Sequence, residues 1–265
     1  TAEQARQAFH WARGAGFDNV SLDLIYGLPE QTLEQWRLDL DEAVALEPEH
    51  LSLYGLTLEE GTPLERTLGS EGKPDPDLAA DMYTQAEDVL AAAGYEHYEI
   101  SNWSWPGRES RHNLTYWRML PYLGLGAGAH SYFQGYRFAN VASPHDYVVR
   151  LQRPPSVHPR LPRILGVSSG KDSAVGPRKH PQVAEAHKLG PRRELAEAAI
   201  MGLRLMEGLD LKALADRYRK RPERLFASQR TELAELGLIE EVDGRLRLTR
   251  RGRLLGNQAF VKFVP

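Results

Sequence analysis

Between residues 98 and 130 the chain gathers imidazole, carboxamide, phenol and indole side chains beside a run of glycines. Arg111-His112-Asn113-Leu114-Thr115-Tyr116-Trp117 combines an imidazole, a carboxamide, a phenol and an indole in one short block. Tyr98-Glu99-Ile100-Ser101-Asn102 precedes it, and Tyr122-Leu123-Gly124-Leu125-Gly126 follows. This is too polar and too aromatic for ordinary core. An imidazole can ligate iron, and Tyr116, Trp117, Trp103, Trp105, Tyr122, Tyr132 and Phe133 are rings able to line a macrocycle. His112, in this block, and His130, beside the glycine-rich turn, are candidate ligands. The competing reading gives each histidine only a structural task, its nitrogens satisfying nearby backbone or carboxylate groups. The Gly124–Gly128 run looks like a phosphate loop, but its glycines equally permit a tight turn beneath the aromatics.

The elements that must position these residues follow from periodicity. Residues 4–15 form a helix that ends at Gly14 and Gly16. Val20-Ser21-Leu22-Asp23-Leu24-Ile25 is a mostly apolar strand, as in a parallel sheet buried on both faces. Thr32 and Gln35 fit a capping box, with Leu33, Trp36, Leu40 and Val44 on one stripe of the helix they open. Leu51 to Leu56 is the next strand, which completes a right-handed βαβ unit. Asp75-Pro76 opens another helix, and Tyr95 to Asn102 is predicted as a further strand. Asp23 is the one acid in its strand. It either caps a loop or pairs with a base, or it contacts a ligand at the strand's carboxyl end, where barrel sites collect.

Residues 153–190 hold six prolines and seven Lys/Arg against two acids, which predicts a linker or inserted loop. Within it, Gly166-Val167-Ser168-Ser169-Gly170-Lys171-Asp172-Ser173 has the look of a nucleotide pyrophosphate loop. Pro162 and Gly176-Pro177 deny it the strand and helix such a loop needs, so a Ser/Gly loop is expected. From residue 191 to 265, three helices and a hairpin turning at Asp243-Gly244 predict a winged-helix-like domain. Its cations are interleaved with acids, so a solvated face is expected and nucleic-acid binding is not.

The chain has 265 residues, a formal net charge of −3 and no cysteine. That charge provides no global basic field for nucleic acid or an anionic membrane. No apolar run is long enough to span a bilayer, and a cytoplasmic location is expected. Without cysteine the chain has no disulfide, no thiolate metal site and no thiol nucleophile. It starts at Thr1 with a helix running straight into a strand, as though within a fold, which suggests a fragment.

Several blocks carry a resemblance: Asp23-Leu24-Ile25-Tyr26-Gly27-Leu28-Pro29, His50-Leu51-Ser52-Leu53-Tyr54, Glu59-Glu60-Gly61-Thr62-Pro63, Tyr98-Glu99-Ile100-Ser101-Asn102, His112-Asn113-Leu114-Thr115-Tyr116-Trp117 and Gly124-Leu125-Gly126-Ala127-Gly128-Ala129-His130. Together, outside 153–190, they make the chain resemble the HemN/HemW group of radical S-adenosylmethionine proteins. That group holds oxygen-independent coproporphyrinogen III oxidase and a haem chaperone, and the His-Asn-x-x-Tyr-Trp block looks like the chaperone branch. The resemblance implies an α/β fold: residues 1–152 as the C-terminal part of a (β/α)₆ partial TIM-type barrel, then the 191–265 winged-helix-like domain. It implies S-adenosylmethionine contact at Asp23. It also implies haem held by His112, Asn113, Tyr116, Trp117 and His130, with His112 on the iron. The partners implied are haem or porphyrin and haem-accepting proteins. The family's CxxxCxxC loop for a [4Fe–4S] cluster has no counterpart here, so radical chemistry is not expected of this chain by itself. The alternatives are the oxidase activity and, more remotely, a winged-helix nucleic-acid binder. A barrel segment with an open sheet edge is expected to dimerise or to be poorly stable.

Overall fold

The computed structural model describes residues 1–68, 75–152 and 180–264. Helix α1 (Ala2–Gly14) begins on a capping box between Thr1 and Gln4. Strand β1 (Ser21–Tyr26), helix α2 (Leu33–Ala45) and strand β2 (His50–Gly55) form the expected βαβ unit, with β1 and β2 parallel. The Thr32–Gln35 capping box is present in both directions. After α3 (Pro63–Leu68), α4 (Pro76–Ala92) starts on Asp75, whose carboxylate accepts from the Asp77 and Leu78 amides.

The stretch predicted as one strand from Tyr95 is two. β3 (Glu96–Glu99) and β4 (Asn102–Ser104) run antiparallel, joined through Ile100 and Ser101. The break has a local cause: the Glu99 side chain takes the Ser101 amide and the Asn102 carboxamide, which folds the chain back. The first sheet is therefore mixed, in the order β1-β2-β4-β3. One face packs on α2 and α4 through Trp36, Leu40, Leu51, Leu53, Met82 and Trp103. The other is not covered by the described residues at β1, where Ser21, Asp23 and Ile25 are exposed. The expectation of a strand buried on both faces is corrected here: its polar residues recur with period two and share one side.

Helix α5 (Arg111–Trp117) leads to β5 (His130–Phe133), β6 (Tyr136–Asn140) and α6 (Pro144–Gln152). Strand β7 (Val183–Lys188) pairs antiparallel with β6, completing a sheet in the order β5-β6-β7. The stretch predicted as linker thus ends inside a sheet, with Ala186 buried against the strand's partner. The Gly166–Ser173 motif lies outside the described residues.

The remaining elements are α7 (Pro191–Gly202), β8 (Leu209–Asp210), α8 (Leu211–Tyr218), α9 (Ala227–Glu235), β9 (Ile239–Val242), β10 (Arg245–Leu248), α10 (Arg250–Leu254) and α11 (Gly256–Val261). Three helices, then a hairpin whose second strand also takes β8, give the winged-helix arrangement. Leu203, Leu211, Leu233, Leu246 and Phe263 fill its core, which extends to Met119 and Tyr132. The two helices closing the chain are not among the sequence expectations.

The two cores are joined at β3. Its outer edge bonds to the chain after α7: the Ile100 amide donates to the Arg204 carbonyl at 3.1 Å, and Met206 to Tyr98 at 3.0 Å. Beside it, Arg250 and Arg253 of α10 both donate to the Glu87 carboxylate on α4 at 2.8 and 2.9 Å. Glu87→Ala leaves Arg253 without this carboxylate and Arg250 with Asp88, and is expected to cost about 2 kcal/mol through lost charge-assisted hydrogen bonds, measured by urea unfolding.

His97 lies flat on Trp103, ring centroids 4.0 Å apart. Burial pushes its imidazole down from 6.5 to about 4, the Glu87 carboxylate at 3.5 Å being already engaged by the two arginines. Between those values the unfolded chain binds the proton and the folded chain does not, so folding stability falls as pH drops from 6.5 to about 4. A His97→Gln variant is expected to lose that part of the slope in thermal unfolding across the same pH range.

Candidate functional site

The open face of the first sheet carries one polar row. Register places Ser21 beside His50 and Asp23 beside Ser52, then His50 beside Ser104 and Ser52 beside Asn102. Residues paired across a ladder point to the same side, so these groups converge. His50 is their centre. Its Nδ1 meets the Ser21 hydroxyl at 2.8 Å and its Nε2 meets the Tyr98 hydroxyl at 2.8 Å. Burial lowers its pKa, and the nearby Asp23 charge only partly opposes that. A neutral imidazole, one nitrogen a donor and the other an acceptor, fits between two hydroxyls. Asp23 itself is exposed.

Deeper in the row, Glu99 is fully buried, and desolvation raises its carboxyl against the help of Asn102. Glu99 Oε2, Asn102 Oδ1 and Ser104 Oγ are buried without hydrogen-bond partners among the described residues.

The polar row connects directly to the histidine-aromatic block. Tyr98 Oη accepts the Ser110 amide at 3.3 Å, and Ser110, the N-cap of α5, accepts the Asn113 amide at 3.3 Å. The Asn113 side chain also faces the Tyr98 hydroxyl. α5 is therefore held at its start by a chain running Ser21–His50–Tyr98–Ser110.

Along α5 the His112 imidazole is exposed and makes no hydrogen bond among the described residues. It stands edge-on to Tyr116 at 4.7 Å, and Tyr116 stands edge-on to Tyr122 at 4.6 Å. Tyr122 exchanges two backbone hydrogen bonds with Tyr132, tying this ladder of rings to β5. Trp117 turns the other way: half-buried, its Nε1 without a partner among the described residues, it lies under the Arg204 guanidinium at 4.5 Å. His130 is exposed at the start of β5, with no ring contact to this ladder. The sequence candidates thus divide into Asn113 on the polar row, His112 and Tyr116 on the exposed ladder, Trp117 at the junction with Arg204, and His130 apart.

The phosphate-loop look of Gly124–Gly128 is not sustained. The Gly124 amide donates to Ser131, Gly126 to Tyr147 and Gly128 to the Val141 carbonyl. These three glycine amides are engaged within the chain rather than offered to a phosphate. A Cβ at Gly124 would meet the His130 carbonyl oxygen at 2.2 Å, so the glycine serves a close backbone crossing.

Among the described residues no group of three or more acidic or histidine side chains is arranged for a metal ion. Haem asks for less from the protein, one free axial nitrogen and flat neighbours, and His112 with Tyr116 fits. A [4Fe–4S] cluster does not fit this chain, which has no thiolate. Asp23 presents an exposed carboxylate able to accept from a hydroxyl or ammonium group.

The whole described architecture matches the solved structure titled "Coproporphyrinogen III oxidase (HemN) from Escherichia coli is a Radical SAM enzyme" with a TM-score of 0.71 at 20% identity, covering 99% of this chain and 58% of that one. Residues 189–255 match the family model of the HemN C-terminal domain. The fold is thus the α/β fold of that solved structure, with a C-terminal region similar to the HemN C-terminal domain. The heme chaperone HemW of Bacillus subtilis is 34% identical over 259 residues, 97% of this chain and 62% of that protein. HemW of Lactococcus lactis is 33% identical over 266 residues, 100% of this chain and 63% of the relative. The chain is thus similar to the HemN/HemW family, and spans less than two thirds of the length of these relatives. No helix among the described residues is long and apolar enough to cross a membrane.

Ser21, His50, Tyr98 and Arg204 were not singled out by sequence as functional groups. The polar alternation Ser21, Asp23 and His50, Ser52 was a usable signal for the first two; nothing local marks Arg204 as the cover of Trp117. Removing the phenol in Tyr98→Phe is expected to cost about 1 kcal/mol. It should also speed amide hydrogen exchange at Asn113, relative to the unchanged α4.

Proposed function

We propose that this protein is a haem-binding member of its family, of the HemW type, that holds haem for transfer to haem proteins. The observation that carries the reading is the His112 imidazole: exposed, unengaged and braced edge-on by Tyr116, on a helix whose start is fixed by Tyr98. Such a nitrogen is available to iron, and its exposure leaves room for an acceptor's own ligand to take the metal over. Haem, when bound, supplies the ligand-exchange chemistry of its iron. The chain's part is to orient the imidazole and to offer ring surface at Tyr116 and Tyr122.

Asp23 and the row beside it are the proposed contact for S-adenosylmethionine in the full-length protein, where cluster ligands would have to come from outside this chain. The second reading is an oxygen-independent coproporphyrinogen III oxidase. It is favoured only by the shared fold, whereas the Bacillus subtilis and Lactococcus lactis relatives, 34% and 33% identical over nearly all of this chain, are named heme chaperones. A cytoplasmic site of action and self-association through the exposed β1 edge belong to the same proposal.

Titration with haemin is expected to give a Soret band that His112→Ala reduces about tenfold in affinity, the loss of about 1.4 kcal/mol. His130→Ala should reduce it less. If neither substitution alters the titration, the axial assignment fails.

A further inference from the structure

The C-terminal domain contains a cavity of about 920 Å³ between the start of α7, the turn joining α8 to α9, and the end of the chain. Arg192, Arg219, Lys220, Arg221 and Arg224 stand around it, and among the described residues no acidic side chain lines it. Among the described residues, none of these five makes an ion pair or a side-chain hydrogen bond. The contrast with the rest of the domain is sharp: Arg193, Lys212, Arg217, Arg230, Arg245 and Arg247 are all paired with carboxylates. Five like charges left uncompensated around one concavity repel one another, and an anionic occupant would relieve that.

The floor is apolar. Leu225 and Phe263 are buried, and Phe226 meets Phe263 edge-on at 5.0 Å. The charged lining groups are all exposed at the rim, and the buried lining side chains are apolar. A specific small-molecule site would place polar groups in the depth to fix orientation. Here long-range charge surrounds an apolar anchor point, the pattern of a protein interface with a buried centre.

A nucleic acid fits less well. α9 exposes Glu232 and Glu235, and the hairpin beside it exposes Glu240, Glu241 and Asp243, acids that would oppose a phosphate backbone. The chain's own 153–179 segment is basic, with six Lys/Arg against one acid, and is electrostatically the wrong occupant.

We propose that this cavity docks an acidic segment of a partner protein, its carboxylates on the five cations and one large apolar side chain over Leu225, Phe226 and Phe263. This goes beyond the haem reading and does not depend on it. The test is fluorescence anisotropy of the full chain with a short fluorescein-labelled peptide rich in glutamate and carrying a central tryptophan. Binding is expected to weaken as salt rises, and to weaken about tenfold or more in the Arg221→Glu, Arg224→Glu double variant. A peptide with serine for the tryptophan should also bind less tightly.

Equal binding by parent and double variant would overturn the proposal. So would equal binding of a lysine-rich peptide, or displacement of the acidic peptide by duplex DNA at lower concentration. His112→Ala is expected to retain peptide binding in full, which separates this result from the fate of the haem site.

Discussion

The pairing of the β3 edge with the backbone around Leu205 is the constraint on which the arrangement rests. Two short backbone bonds fasten the first sheet to the segment leaving α7. They also spare β3 an exposed row of unpaired amides, the usual liability of an edge strand. Once that edge is closed, Arg204 is held over Trp117, and α5 lies against the C-terminal domain rather than in solvent. Glu87, bonded by two arginines from α10, fixes the same joint from the α4 side.

Within that frame the site is a relay of small polar contacts. Ser21, His50 and Tyr98 each lie on a different strand, and the last reaches the amide of Ser110 at the start of α5. A change in the open face of the sheet therefore has a physical route to the helix bearing His112. The route is three hydrogen bonds long, and its middle member is a histidine that burial keeps neutral. The same face is where Asp23 sits, so a ligand contacting one end bears on the orientation of the other.

Much of this was legible in the sequence because it is locally encoded. The Thr32–Gln35 box, the Asp75-Pro76 start and the Asp243-Gly244 turn all stand where their residue types demand. What escaped depends on contacts between residues distant in sequence. The fold-back at Ile100–Ser101 is set by a buried glutamate whose role appears only when Asn102 comes round to meet it. The strand Val183–Lys188 follows a proline-rich, basic stretch and is held by register with β6, which no local signal announces. The glycine run was ambiguous for the same reason: a cradle and a crossing need the same residue, and only the His130 carbonyl decides between them.

Trp117 lies five residues beyond His112 on the same helix. At 1.5 Å of rise per residue the indole is roughly 8 Å along the axis from that imidazole. With the other four tryptophans replaced, the helix carries its own optical gauge. A porphyrin seated on the imidazole would quench the emission of that ring by energy transfer. A shift of the guanidinium lying above it would move the wavelength instead, so occupancy of the helix and loosening of the joint leave separate spectral marks.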